Sequence, residues 1–126
     1  MRLLLDTHAL LWWLGDFERL SASAYDAIAG GEFEVFVSHA AIWEILIKTA
    51  KGRLQAPEPL VDRCAAERFN LLPIALAHIH ETGQLPFLHG DPFDRIMVAQ
   101  ARCEDLVLVT GDRAITQYDV TVLPAC

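Results

Sequence analysis

The sequence predicts an α/β fold in which helices pack on a central parallel sheet. Short apolar segments recur along the chain and are separated by stretches with helical character. These segments are apolar throughout rather than at alternate positions, which is typical of parallel strands that are buried on both faces. The regular alternation of strands with helices favours a layered α/β sandwich.

The predicted elements follow one another along the chain. Five segments are predicted to be strands: Leu3–Asp6, Glu34–Val37, Leu71–Ile74, Leu106–Thr110 and Thr121–Leu123. A helix is expected to begin at Thr7–His8, and another to follow Asp91-Pro92. Between the second and third strands, two helical stretches over roughly 39–51 and 58–69 are separated by Gly52 and by the segment Pro57–Pro59.

Length and composition predict one domain over residues 1–126, since 126 residues with 53% hydrophobic content can build one ordinary core. No apolar run reaches the ~18–20 residues of a membrane span, so no membrane association is expected. Asp6 interrupts the apolar start, which argues against a signal peptide. The three cysteines are widely spaced and match neither a zinc site nor a disulfide framework, which favours a reducing, cytoplasmic location.

Four acidic residues lie at or near the ends of strongly apolar runs: Asp6, Glu44, Asp94 and Asp112. A buried carboxylate without a partner is costly, and protonation or a bound cation usually relieves the cost. Ligand sites of open α/β sheets gather beyond the carboxyl ends of the strands, so all four acids are expected at one edge of the sheet. Carboxylates without a comparable set of Cys or His ligands favour a hard metal, Mg²⁺ or Mn²⁺, and such clusters most often act on phosphate esters.

Each acid also has a purely structural interpretation. Asp6 could only cap the helix that follows it, and Asp112 could be a turn residue. Glu44 could form an exposed ion pair with Lys48, four residues further on. These interpretations are reasonable separately but fit poorly together, because all four acids fall towards one edge of one sheet.

The segment Asp91-Pro92-Phe93-Asp94 reads as the start of a helix. Asp91 is predicted to be its N-cap, followed by proline at the first helical position. Asp94 suits the positive end of the helix dipole and can also serve a site, so the two roles do not exclude each other.

The net charge of −7 argues against a broad electrostatic grip on nucleic acid, which requires a basic face. A nuclease is not excluded, because two divalent cations would offset four negative charges locally. Without metal, the acidic site should repel its own substrate.

With these residues in this order, the chain resembles the PIN-domain ribonucleases, in particular the VapC-like toxins of type II toxin–antitoxin modules. The matching segments are Leu4–Trp12, Ser38–Ile45, His89–Arg95 and Leu108–Asp112. They cover nearly the whole chain in order, and the Asp-Pro-Phe-Asp-Arg run over 91–95 is the most specific of them. The resemblance implies a three-layer sandwich with a parallel sheet in the order 3-2-1-4-5.

The resemblance also implies a metal-dependent endoribonuclease. Asp6, Glu44, Asp94 and Asp112 would be both the metal ligands and the catalytic residues, and in-line attack by an activated water would leave a 5′-phosphate and a 3′-hydroxyl. Outside these four, the hydroxyls of three residues are expected to hold the ligands, namely Thr7, Thr110 and Ser38, although Ser38 could instead cap its helix. RNA contacts are expected from His8, Lys48 and Arg95.

Partners implied by the resemblance are RNA, a second copy of the chain in a homodimer, and a VapB-like antitoxin. The apolar cluster over Trp12–Leu20 would form part of the antitoxin surface, together with Glu44–Arg53. Two alternatives remain open. One is a PIN-like module that binds a partner without catalysis. The other is a phosphatase with an aspartate nucleophile, which normally shows Asp-x-Asp after the first strand, whereas Thr7-His8 follow Asp6 here.

Overall fold

The computed structural model describes Met1–Cys126 and contains one five-stranded, all-parallel sheet in the order β3-β2-β1-β4-β5. The strands are β1 (Arg2–Leu5), β2 (Glu34–Ser38), β3 (Asn70–Leu72), β4 (Val107–Thr110) and β5 (Val122–Pro124). The helices are α1 (Thr7–Gly15), α2 (Ala22–Ala29), α3 (His39–Ala50), α4 (Leu60–Ala66), α5 (Leu76–Thr82), α6 (Pro92–Glu104) and α7 (Arg113–Thr116), with a 3₁₀ turn at Phe17–Arg19. The predicted fold class and strand order are confirmed.

The apolar character of the strands follows from the central place of β1. This strand pairs with β2 on one side and β4 on the other, and Leu3, Leu4 and Leu5 are completely buried. Side chains on both faces of β1 therefore need to be apolar, which produces the continuous run seen in the sequence. None of the helices is both long and apolar enough to cross a bilayer.

Most element boundaries differ by a residue or two from the prediction, and three of the differences have local reasons. Asp6 lies beyond β1 and is the N-cap of α1. The third strand ends at Leu72 rather than at Ile74, because Pro73 has no N–H to continue the ladder. The predicted helix over 58–69 is shortened to α4, and the chain then turns at Arg68, whose φ is 62°.

The register of the sheet brings three strand ends to one level. Leu5 of β1 is aligned with Val37 of β2 and with Val109 of β4. The amide of Asp6 continues this pattern, since it donates to the carbonyl of Val109 at 3.1 Å. Residues that follow β1, β2 and β4 therefore meet at the carboxyl edge of the sheet.

Candidate active site

A polar pocket of about 400 Å³ lies at this carboxyl edge. Of its eleven lining residues, only one is hydrophobic, and the four predicted acids are all among them. The lining residues are Asp6, Thr7, His8, Trp12, Arg19, Glu44, Lys48, Asp91, Asp94, Gly111 and Asp112. Five carboxylates thus share one pocket, the fifth being that of Asp91.

Asp6 is both a helix cap and a buried wall of the pocket. Its Oδ1 accepts from the amide of Ala9 at 2.8 Å, and its Oδ2 accepts from the hydroxyl of Thr110 at 2.5 Å. Burial raises the pKa of Asp6 above its ordinary range and the charge of Asp112 adds to this, whereas the hydrogen bond from Thr110 opposes the rise. Capping and site geometry therefore coexist in one side chain.

Glu44 is buried on α3, with only 4% of its surface exposed. Its Oε1 accepts from the Thr7 hydroxyl, and its Oε2 accepts from the Lys48 ammonium, both at 2.6 Å. The ion pair with Lys48 is therefore present, but its acidic end is not on an exposed face. This hydrogen bond with Glu44 raises the pKa of Lys48, so the ammonium stays charged beside the pocket.

Asp91 and Asp94 have different roles at the start of α6. Asp91 caps the helix, because its Oδ1 accepts from the amides of Phe93 at 2.9 Å and of Asp94 at 3.3 Å. Asp94 instead contacts His89, whose Nε2 lies 3.3 Å from Oδ2. Burial, followed by the charge of Asp91, raises the pKa of Asp94 to about 7, and Asp112 and Glu44 add to the shift.

Asp112 stands at the exposed rim of the pocket, and its Oδ1 caps α7 through the amide of Ala114 at 2.9 Å. Its own amide donates to the Thr110 hydroxyl at 3.0 Å, and that hydroxyl in turn donates to Asp6. A single threonine thereby ties together the two acids that follow β1 and β4. Gly111 between them allows close packing, since a Cβ there would lie 2.6 Å from the thiol of Cys126.

Three residues named from the sequence do not line the pocket: Thr110, which bonds to Asp6 behind it, Ser38 and Arg95. Ser38 is completely buried and caps α3 by accepting from the amide of Ala40 at 2.9 Å, which is the structural alternative. Arg95 points to the other side of α6, where its guanidinium donates to the carbonyls of Thr82 and Pro86. Its donors are therefore directed away from the acids.

The structure also adds wall residues that were not predicted for the site, and two of them, Arg19 and Trp12, lie against each other. The guanidinium of Arg19 lies 5.5 Å from the centre of the Trp12 ring, and both side chains line the pocket next to His8. The turn at Phe17–Arg19 brings Arg19 back over α1. No periodic signal in the sequence marks that return, so only the fold could have shown it.

The donor set has the chemistry of a site for a hard divalent cation, because its acidic groups are all carboxylates and no cysteine lines the pocket. In this structure, no group of three or more His, Cys, Asp or Glu side chains is arranged so that it could hold a metal ion. Local donors occupy oxygens of Asp6, Glu44 and Asp112. Burial is the main cause of the raised pKa values of Asp6 and Asp94, and neighbouring carboxylates add to it. A bound cation would relieve this cost, so the residues fit a cation by charge and by ligand type.

Comparisons with known proteins find relatives along nearly the whole chain. The family model for the PIN domain matches residues 3–120. Ribonuclease VapC22 from Mycobacterium tuberculosis is 30% identical over 118 residues, which cover 91% of this chain and 90% of the relative.

Solved structures with this fold include two DNA-bound complexes. VapBC2 from Rickettsia felis, bound to a promoter fragment, matches with a TM-score of 0.74 at 13% identity, covering 98% of each chain. DNA-bound VapBC from Salmonella typhimurium matches with a TM-score of 0.72 at 16% identity, covering 100% of this chain and 99% of the other. Likeness at such low identity shows the fold alone.

Proposed function

Because this chain belongs to the PIN-domain family, and because its 30% identical relative is a VapC ribonuclease, we propose that it is a VapC-like, metal-dependent endoribonuclease that hydrolyses RNA phosphodiester bonds. The observation that carries the proposal is the meeting of four acids from separate parts of the chain in one pocket: Asp6, Glu44, Asp94 and Asp112. Membership of the family supports the reaction class, and the pocket supports its location in this chain.

The four acids would hold Mg²⁺ or Mn²⁺. When bound, the metal would activate a water and neutralise charge on the phosphate oxygens. The protein holds the ligands in place, since Thr110 fixes Asp6 and Thr7 fixes Glu44. Such hydrogen-bonding partners keep carboxylates oriented towards a metal.

RNA contacts are proposed for the wall of the pocket. Lys48, His8 and Arg19 line it, and their side chains would contact a phosphate. Trp12 is its one hydrophobic lining residue and offers a face on which a base can stack. With a net charge of −7, the grip on RNA is expected to be local, so these few groups matter more than they would on a basic protein.

The partners proposed are a VapB-like antitoxin and a second copy of the chain. Several structural neighbours are toxin–antitoxin complexes, among them one from Klebsiella pneumoniae with a TM-score of 0.65 at 19% identity. Exposed apolar side chains lie on the segments where the antitoxin is expected, since Phe17 and Leu46 are each more than half exposed. Trp43, directly before the second segment, is also more than half exposed. An antitoxin arginine or lysine directed into the acidic pocket would compete with the metal for its carboxylates.

RNA cleavage by the purified protein tests the proposal. Cleavage is expected in Mg²⁺ or Mn²⁺ and should stop in chelator. Asp6→Asn should lower the rate by more than about 100-fold, the upper end of what losing an outer partner of a metal site costs. The matched control Asp26→Asn changes an exposed acid on α2 and should leave the rate unchanged. Undiminished cleavage in chelator or by Asp6→Asn would reject the mechanism. Absence of cleavage under all conditions would favour the non-catalytic alternative.

A further inference from the structure

His89 connects the acidic pocket to the protein core. Its Nε2 lies 3.3 Å from Oδ2 of Asp94, and its Nδ1 lies 2.8 Å from the phenol oxygen of Tyr118. Tyr118 is buried, with 4% of its surface exposed, and His89 and Asp94 are also largely buried. His89 does not line the acidic pocket itself, so its contact with Asp94 is made from behind the carboxylate.

Arg95 at one end and the Asp94 carboxylate at the other set the direction of these hydrogen bonds. Its Nη1 lies 3.0 Å from the phenol oxygen of Tyr118, and a guanidinium can only donate. The phenol oxygen therefore accepts from Arg95, which leaves its own hydrogen free to be donated to Nδ1 of His89. An ionised Asp94 can only accept, so a neutral imidazole that bonds to it carries its proton on Nε2 and accepts from the phenol at Nδ1.

Arg95 is itself firmly held. Its guanidinium donates to the carbonyl oxygens of Thr82 and Pro86, each at 3.0 Å, and lies 4.9 Å from the centre of the Phe87 ring. The loop between α5 and α6 is thereby fastened to α6, the helix that carries Asp94. The three residues Arg95, Tyr118 and His89 thus form a relay of donors with one end in the loop and core and the other at a site carboxylate.

We propose that this relay is a positioning device for Asp94. It holds Oδ2 through His89, while Oδ1 makes no hydrogen bond and remains available to the pocket. A carboxylate fixed in this way loses less conformational freedom when it binds a cation, which raises the affinity of the site. The inference rests on the proposed metal-dependent function and assigns to His89, Tyr118 and Arg95 an indirect role that acts through Asp94.

Binding of Mn²⁺ alone, measured by calorimetry on the whole protein, tests the role of His89. His89→Met keeps the approximate size of the side chain but removes both hydrogen bonds. We expect its affinity for Mn²⁺ to fall about 10-fold, the lower end of the range for the loss of an outer partner. His89→Gln retains an N–H donor for Asp94 and should stay within about 3-fold of the wild type. The proposal would be overturned if folded His89→Met bound Mn²⁺ with wild-type affinity. It would also be overturned if folded His89→Met and His89→Gln lost the same affinity for Mn²⁺.

Tyr118→Phe provides a second test that keeps the buried ring and removes the hydroxyl that sets the tautomer. We expect weaker Mn²⁺ binding in this variant and unchanged binding in Tyr25→Phe, which alters a half-exposed tyrosine on α2. Tight binding in folded Tyr118→Phe would overturn the relay.

Asp6→Asn separates failure of the relay from failure of the proposed function. If the wild type and Asp6→Asn bind Mn²⁺ equally, or neither binds it, the metal site itself is absent and the proposed function fails. If that difference is present but His89→Met binds as the wild type does, only the relay fails.

Discussion

Two buried polar regions of this molecule differ in whether the protein itself provides partners for their polar groups. Beside α5, His78 accepts from the amide of Ala75 at 2.9 Å and pairs with Glu104 at 3.1 Å. Gln100 adds a hydrogen bond to the carbonyl of Pro73 at 3.2 Å, and only its amide oxygen lacks a partner. In this cluster, nearly every donor meets an acceptor within the protein.

The acidic pocket is not balanced in this way. Five carboxylates line it, whereas its permanently cationic side chains are those of Lys48 and Arg19. Burial and mutual repulsion raise the pKa of Asp94 to about 7. Local complementarity is expected of a region that serves stability, and an excess of one charge is expected of a region that waits for an external partner. The comparison therefore separates a structural cluster from a functional one.

The largest expected effect of this difference is on catalysis. Glu44→Gln should reduce the rate of RNA cleavage by more than about 100-fold, because the amide keeps the shape but loses the charge that a metal requires. His78→Leu should leave the rate of the folded protein within about 3-fold of the wild type, since every hydrogen bond of His78 goes to a residue outside the pocket. Single-turnover cleavage measures both, and a large loss in folded His78→Leu would remove the distinction.

The next effect is on the free energy of unfolding, which should fall more on substitution in the His78 cluster than on substitution in the acidic pocket. His78→Leu should lower the free energy of unfolding by about 2–3 kcal/mol, because it leaves the amide of Ala75 without its acceptor. Glu44→Gln should cost less, since the ammonium of Lys48 is partly exposed and can be hydrated. Urea denaturation measures both, and a smaller loss in His78→Leu than in Glu44→Gln would contradict the assignment of the first cluster to stability.

Metal ions should stabilise only the protein with an intact pocket, and more strongly at higher pH. Binding at 100 times the dissociation constant corresponds to about 2.7 kcal/mol of stabilisation. Because Asp94 must be ionised to bind a cation and its pKa is about 7, the rise in Tm with Mg²⁺ should be larger at pH 8 than at pH 6. Thermal unfolding with and without Mg²⁺ measures this, and equal shifts at both pH values would exclude Asp94 as a ligand.

A smaller effect concerns stability without metal. The folded-state pKa of Asp94 is raised to about 7, so its favourable contribution at low pH is lost as pH rises through that value. Asp94→Asn avoids this loss and should stabilise the protein at pH 8 by about 1 kcal/mol, after allowance for solvent screening of a partly exposed group. At pH 4 the gain should disappear. Denaturation at the two pH values measures the difference, and destabilisation at pH 8 would show that Asp94 is already neutralised.

Much of the fold could be predicted from the sequence because it depends on local pattern. The continuous apolar run of Leu3–Leu5 reflects burial on both faces of β1, and the run Asp91-Pro92 marks the start of α6. The four acids could be grouped because parallel strands place their carboxyl ends together. These inferences need only the order of the elements.

Contacts that depend on the path of loops could not be predicted. Tyr118 lies 29 residues from His89 in the chain, and no periodicity connects them. Arg95 follows Asp94 directly, but hydrogen bonds to Thr82 and Pro86 direct its guanidinium away from the site. The placement of Arg19 over Trp12 likewise depends on one short 3₁₀ turn.

The central claim is that the acids of the pocket hold a divalent cation, and crystals soaked in Mn²⁺ test it most directly. The account predicts an anomalous peak in the pocket within about 2–2.5 Å of carboxylate oxygens that include Asp6. The peak should be missing from crystals of Asp6→Asn. A wild-type protein that cleaves RNA while Mn²⁺ binds only outside this pocket would contradict the account.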